Sequence, residues 1–105
     1  MRELTRDEVR SAFVDGVWDL VKFWRAQKGD ETEKMAGLAY GILSLLDGEA
    51  PGLPHFCMFS DPTVEDTRRR ESQGLPAFPH VLDPELDVSK DLGDAFQAKR
   101  LSDGA

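Results

Sequence analysis

Gln27-Lys28-Gly29-Asp30-Glu31-Thr32-Glu33 decides the fold, because one amphipathic helical pattern stops at its glycine and a second starts at its aspartate. Upstream, Thr5-Arg6-Asp7-Glu8 has the form of a capping box. The Thr5 hydroxyl can accept from the N–H of residue 8 while the Glu8 carboxylate accepts from the N–H of Thr5. Val9, Phe13, Val17, Leu20 and Trp24 then recur at spacings of three and four, and Ala12, Trp18 and Val21 widen the stripe, which predicts a helix with one broad buried face. Arg25, Lys28 and Gly29 supply a positive last turn and a residue able to take left-handed backbone, so this helix is expected to end near Gln27 or Lys28.

Downstream, Asp30 caps a second pattern whose apolar face is Met35, Leu38, Ala39, Ile42, Leu45 and Leu46. A connection this short makes the two helices antiparallel neighbours. Gly37 and Gly41 cost about 1 kcal/mol each relative to alanine in a helix interior. Their place on one line of the helix therefore predicts close approach by a bulky group, Trp18 or Trp24.

Beyond Asp47-Gly48, the run Glu49-Ala50-Pro51-Gly52-Leu53-Pro54 excludes regular structure. His55-Phe56-Cys57-Met58-Phe59 predicts an extended segment that is apolar on both alternations. The other extended candidate, Phe78 to Leu82, could pair with it in a minimal sheet, although Pro76 and Pro79 weaken that strand. Asp61-Pro62 predicts the start of a short helix over Val64 to Gln73, stopped by Gly74, and Ser89 predicts the N-cap of a last helix on which Leu92, Ala95, Phe96 and Lys99 share a side. Gly52-Leu53-Pro54-His55-Phe56 and Gly74-Leu75-Pro76-Ala77-Phe78 use one helix-stop device twice. The expected fold class is mainly α, with an α+β arrangement left open. It is an antiparallel helical hairpin with short extended segments and a C-terminal helix, in a single small domain over residues 1–105.

The chain has 20 acidic and 13 basic residues, a formal charge of −7, with 40% hydrophobic residues. That composition is globular, and its acidity disfavours direct binding to nucleic acid, which needs clustered Lys and Arg. An acidic chain instead complements a protein partner with a basic surface. One cysteine, Cys57, cannot form an intramolecular disulfide, which fits a reducing, cytoplasmic setting. Arg2, Glu3, Arg6, Asp7 and Glu8 stand where a secretory signal needs an apolar core, and no apolar run has the length of a membrane span, so neither export by that route nor a membrane location is expected.

No phosphate-binding glycine loop or nucleophile elbow is present. Cys57 with His55 or His80 is the one thiol and imidazole set, but an apolar run raises a thiol's pKa, so a packed core cysteine is the expected role. His55, Cys57, His80 and Asp83 could supply four metal ligands, yet they lack the paired spacing of such sites. No catalytic residue, cofactor or metal is assigned. Arg68-Arg69-Arg70 fans around a helix beside Glu65, Asp66 and Glu71 and reads as a solvated face with local ion pairs. The acidic set Asp83, Glu85, Asp87, Asp91 and Asp94 is the candidate partner-binding surface, because spaced negative charges can occupy a basic groove meant for phosphate.

Leu38-Ala39-Tyr40-Gly41-Ile42-Leu43-Ser44-Leu45-Leu46-Asp47-Gly48-Glu49 followed by Gly52-Leu53-Pro54-His55-Phe56 resembles small acidic bacterial and phage proteins in which a helix ending in Leu-Asp-Gly precedes a Pro-x-Phe segment. Those proteins continue with Pro-His-Pro-Asp-Asp-Lys, whereas this chain reads Ser60-Asp61-Pro62-Thr63-Val64-Glu65 and has no histidine there, so no role of that histidine carries over. Small size, acidity, the lack of a reaction centre and this phage-like segment together imply a non-enzymatic protein-binding module. A phage or mobile-element inhibitor of a host defence complex, such as an anti-CRISPR, is one form it could take. The alternatives are a structural homo-oligomer with Trp18, Trp24 or Phe56 at its interface, and a small-molecule site or enzyme using Cys57, His55 and His80.

Overall fold

The structure is a computed structural model that describes residues 2–80, 84–89 and 91–104. It is mainly helical: α1 Arg6–Arg25, α2 Glu31–Leu46, α3 Val64–Ser72 and α4 Leu92–Ser102, with a 3-10 turn at Pro84–Leu86. Contacts divide the chain into two compact units, Met1–Phe56 together with Asp91–Ala105, and Cys57–Lys90.

In the first unit α1 and α2 form the expected hairpin. The Thr5 and Glu8 capping box starts α1, and the Asp30 carboxylate accepts from the Glu33 N–H at 2.8 Å to start α2. The last turn of α1 closes at Ala26, before Gln27, where the cap N–H reaches back to Lys22 and Phe23 carbonyls. Side chains from α1 fill the glycine line of α2. A Cβ built on Gly37 would lie 2.5 Å from Trp24 Cη2, and one on Gly41 would lie 2.9 Å from Leu20 Cδ2. Trp24, then, is the bulky group at Gly37, and its indole occupies the volume that any larger residue there would need. Trp18 is not part of this contact: it is exposed, which corrects its expected place on the buried stripe. Phe13 packs edge-on against Phe56 at a centroid distance of 5.7 Å, and Leu45 is the buried apolar residue among those described.

α2 ends in a Schellman motif. Gly48 has φ 80°, its N–H donates to Leu45 O, and the Glu49 N–H donates to Ser44 O at 3.2 Å. Gly48 is needed twice over, because a Cβ there would also stand 2.8 Å from the His55 Cα. The α2 C-cap residue, Asp47, then crosses to α4. Its Oδ1 accepts from the Leu92 N–H at 3.2 Å and its Oδ2 from the Gly93 N–H at 3.1 Å. Buried Gly93 lets that approach happen, since a Cβ there would lie 3.1 Å from Tyr40 Cε2 and 3.3 Å from Ser44 Oγ. Helix α2 thus lies between α1 and α4, and the helix-to-helix side chain Asp47 does for α4 what Ser89 was expected to do. Asp91 holds the N-cap position instead, with φ 57° and no side-chain cap bond.

In the second unit a capping box of Thr63 and Asp66 starts α3, in place of the expected Asp61. Gly74, with φ 66°, ends it in a second Schellman motif: the Gly74 N–H donates to Glu71 O and the Leu75 N–H to Arg70 O at 2.9 Å. His55 to Phe59 forms no β-ladder, and no strand occurs among the described residues. The expected second strand reaches Val81 and Leu82, which lie outside the described residues. The Val88 N–H donates to Met58 O at 2.9 Å, so the backbone partner of Met58 lies beyond the Phe78 to Leu82 segment expected to pair with it.

Candidate protein-binding surface

The surface forms on α1 because that helix carries apolar side chains on two faces. Phe13, Leu20 and Trp24 turn toward α2 and Phe56. Trp18 lies two residues before Leu20 and so about 160° around the helix from it. It is left 54% exposed, with Val14 at 57%. Val21 continues that outer stripe toward the loop end of the hairpin. There Val21, Trp24, Arg25, Lys34, Met35 and Leu38 line a shallow groove of about 160 Å³ with an almost wholly apolar floor. Met35 is 63% exposed beside it, and the Lys34 ammonium reaches across to the Arg25 carbonyl at 3.4 Å. Charges of both signs flank the stripe, among them Arg10, Asp15 and Lys22, while Asp7 stands at its start and Arg25 at its end.

In the second unit the strongest polar assembly closes on itself. The Asp87 carboxylate accepts from the Met58 N–H at 2.8 Å and, through the same oxygen, from the Ser89 N–H at 2.9 Å and the Ser89 hydroxyl at 2.6 Å. These donors hold the Asp87 carboxyl well below the usual carboxylate range. Cys57 is exposed as a residue, which corrects its expected core position, yet neighbouring atoms partly desolvate its sulfur and Asp87 faces it. Desolvation first, and then that charge, push the thiol upward from its ordinary value. A raised thiol pKa works against nucleophilic catalysis near neutral pH.

The other chemistry-bearing residues are placed as follows. His55 belongs to the first unit, Cys57 and His80 to the second, and Asp83 lies outside the described residues. Among the described residues no three metal-ligating side chains converge. His80 Nδ1 stands 3.9 Å from Asp61 at an open cavity of about 350 Å³ that Phe59 and Ser60 also line. The Ser60 hydroxyl donates to Pro79 O at 2.6 Å, so its proton is directed away from an imidazole base. Of the acidic set, Glu85 in the 3-10 turn and Asp87 belong to the second unit, while Asp91 and Asp94, exposed at the start of α4, belong to the first. Arg69 pairs with Asp66 at 3.5 Å, while Arg70 turns to Pro76 O at 2.7 Å with its guanidinium 4.5 Å above the Phe78 ring. Two of the three arginines of the run are thereby placed, Arg69 in a local pair and Arg70 in a turn brace.

Sequence reasoning missed Val14 and the outward direction of Trp18. The available signal was the excess of apolar residues on α1 over what one helix face can bury, since Val14, Trp18 and Val21 repeat at four and three on their own. No protein-family model, curated protein or solved structure matches the chain.

Proposed function

We propose that the chain is a non-enzymatic protein-binding module whose contact element is the outer face of α1 with the adjoining groove at the hairpin end. The observation that carries this reading is the exposure of Trp18 and Val14, 54% and 57%, on a helix whose other face already serves the core. A half-exposed tryptophan flanked by aliphatic and charged neighbours has the make-up of an interface centre, where aromatic anchors contribute most of the binding energy. An open apolar stripe on a small domain otherwise favours unspecific association. No described side-chain assembly supports turnover: the thiol is shifted upward and the nearest serine is directed to a carbonyl.

Affinity capture with the tagged chain from its native host, at low and high salt, tests the reading when run beside Trp18→Ala and Val14→Asp. A specific protein retained by the wild type and lost by both variants is the expected result. A partner bound equally by all three removes α1 from the interface. A partner held only at low salt and released by substituting Glu85, Asp91 and Asp94 would instead return the contact to the acidic set, the arrangement expected of an inhibitor that occupies a basic groove.

A further inference from the structure

The outer stripe of α1 is self-complementary. Asp7, Ser11, Val14, Trp18, Val21 and Arg25 follow one another at spacings of four, three, four, three and four, all inside Arg6–Arg25. That is the alternation of a heptad seam, which keeps one line of a helix against a neighbour. The line is also symmetric about its midpoint between Val14 and Trp18. Turned end for end, a second α1 sets Val14 against the partner's Trp18, Ser11 against the partner's Val21, and Asp7 against the partner's Arg25.

We propose that the face is filled by a second copy of this chain, as a two-fold antiparallel pair of α1 helices. The proposal rests on the reading of α1 as an association surface and names its occupant. Charge selects the antiparallel copy, because the acidic residue of the seam lies at its start and the basic one at its end, so a two-fold axis makes two opposite-charge contacts from one sequence. A parallel pair would stack Asp7 on the partner's Asp7 and Arg25 on the partner's Arg25. In the single chain Asp7 touches Arg6 only at the exposed surface, 3.1 Å away, so it is available to the partner. Packing agrees with charge: at the centre a valine meets a tryptophan, large against small, rather than two indoles competing for one volume. Asp15, beside the axis, faces the partner's Asp15, which weakens the pair without altering its register.

A 20-residue helix is 30 Å long, and one such seam falls short of the roughly 800 Å² per partner of a standard interface. The pair is accordingly concentration-dependent. Sedimentation equilibrium of the full chain over a broad concentration range is the test. The mass is expected to climb from 11.7 kDa toward twice that value. Trp18→Ala should remain monomeric with unchanged helical circular dichroism, since Trp18 lies on the face away from α2. Arg25→Asp should weaken the pair by roughly tenfold, because two exposed ion pairs become repulsive at once. Adding Asp7→Arg to Arg25→Asp should recover most of that loss, and Asp15→Asn alone should tighten the wild-type pair.

A monomer at every concentration overturns the proposal, as does a dimer indifferent to Trp18→Ala or to the charge exchange. A monomer that still captures another protein through Trp18 removes the second copy and leaves the binding module standing. A monomer whose captures do not depend on Trp18 removes both.

Discussion

Asp47→Ala probes the contact that fixes α4 to α2. Asp47 closes α2 through its backbone, whereas its carboxylate serves the Leu92 and Gly93 N–H groups at 3.2 and 3.1 Å, from 45 and 46 residues away. Those donors are among the unpaired groups of a helix start, and the local N-cap residue Asp91 offers them no side-chain oxygen. Loss of an N-cap side chain costs about 1 kcal/mol, and loss of a negative charge from a helix start adds about 0.5 kcal/mol. Both bonds are partly buried and carry a formal charge, which raises the expected total to about 2 kcal/mol. For a domain of this size each kcal/mol moves the melting temperature by about 4–8 °C, so Asp47→Ala should melt roughly 10 °C lower. Asp47→Asn keeps one oxygen acceptor and should lose about half as much. Thermal unfolding followed by circular dichroism gives the magnitude, and amide exchange at Leu92 and Gly93 gives the place, because these two protons should lose protection first. A cost under about 0.5 kcal/mol, or equal costs for Asn and Ala, would refute the assignment of Asp47 as the cap of α4.

Gly48→Ala and Gly52→Ala separate backbone strain from crowding. Both glycines have positive φ, 80° and 85°, but a Cβ on Gly48 meets the His55 Cα at 2.8 Å and one on Gly52 meets nothing. Gly52→Ala should therefore cost about 1–2 kcal/mol by thermal melting, and Gly48→Ala clearly more. Acid should destabilise the chain in a defined window. Arg2 and the Thr5 N–H lower Glu8 to about 2 from 4.5, so its contribution is complete above pH 4.5 and disappears as the pH falls toward 2. A melting series should fall through that window, and Glu8→Gln should flatten the fall within it. A pH profile unchanged by Glu8→Gln would contradict the pairing. Alkylation of Cys57 by iodoacetamide at neutral pH should be slower in the folded chain than in urea, despite its exposure, because the folded state disfavours the thiolate.

The hairpin was legible because every signal for it is local. Thr5 to Glu8 and Asp30 to Glu33 carry their caps within four residues, and the Gly37 and Gly41 line announces the approach that Trp24 and Leu20 make. The start of α3 was legible too, but the Thr63 and Asp66 capping box outweighs Asp61-Pro62, since it satisfies two donors reciprocally. Ser89 misled because the cap of α4 comes from Asp47, and no window of sequence around residue 91 contains it. Ser89 is instead buried against Asp87. Trp18 misled because spacings of three and four fit two stripes on α1, and only the position of α2 decides which of them faces inward.

The same accounting bears on how acidity is read as function. Glu8, Asp30 and Asp66 accept from backbone N–H groups at helix starts, Asp47 does so across to α4, and Asp87 ties Met58 to Ser89. Helix starts favour negative charge and demand acceptors, so a chain whose described residues form four α-helices acquires carboxylates for structural reasons before any partner is considered. A formal charge of −7 therefore overstates the acidity left over for recognition. Asp87 illustrates the difference: sequence spacing places it in a binding set, while its hydrogen bonds commit it to the loop. Trp18 is the opposite case. It lies about 160° around α1 from Leu20, it is more than half exposed, and it stands near the centre of a seam that runs from Asp7 to Arg25. An indole left more than half in water is stronger evidence of a binding face than charges that the fold already uses.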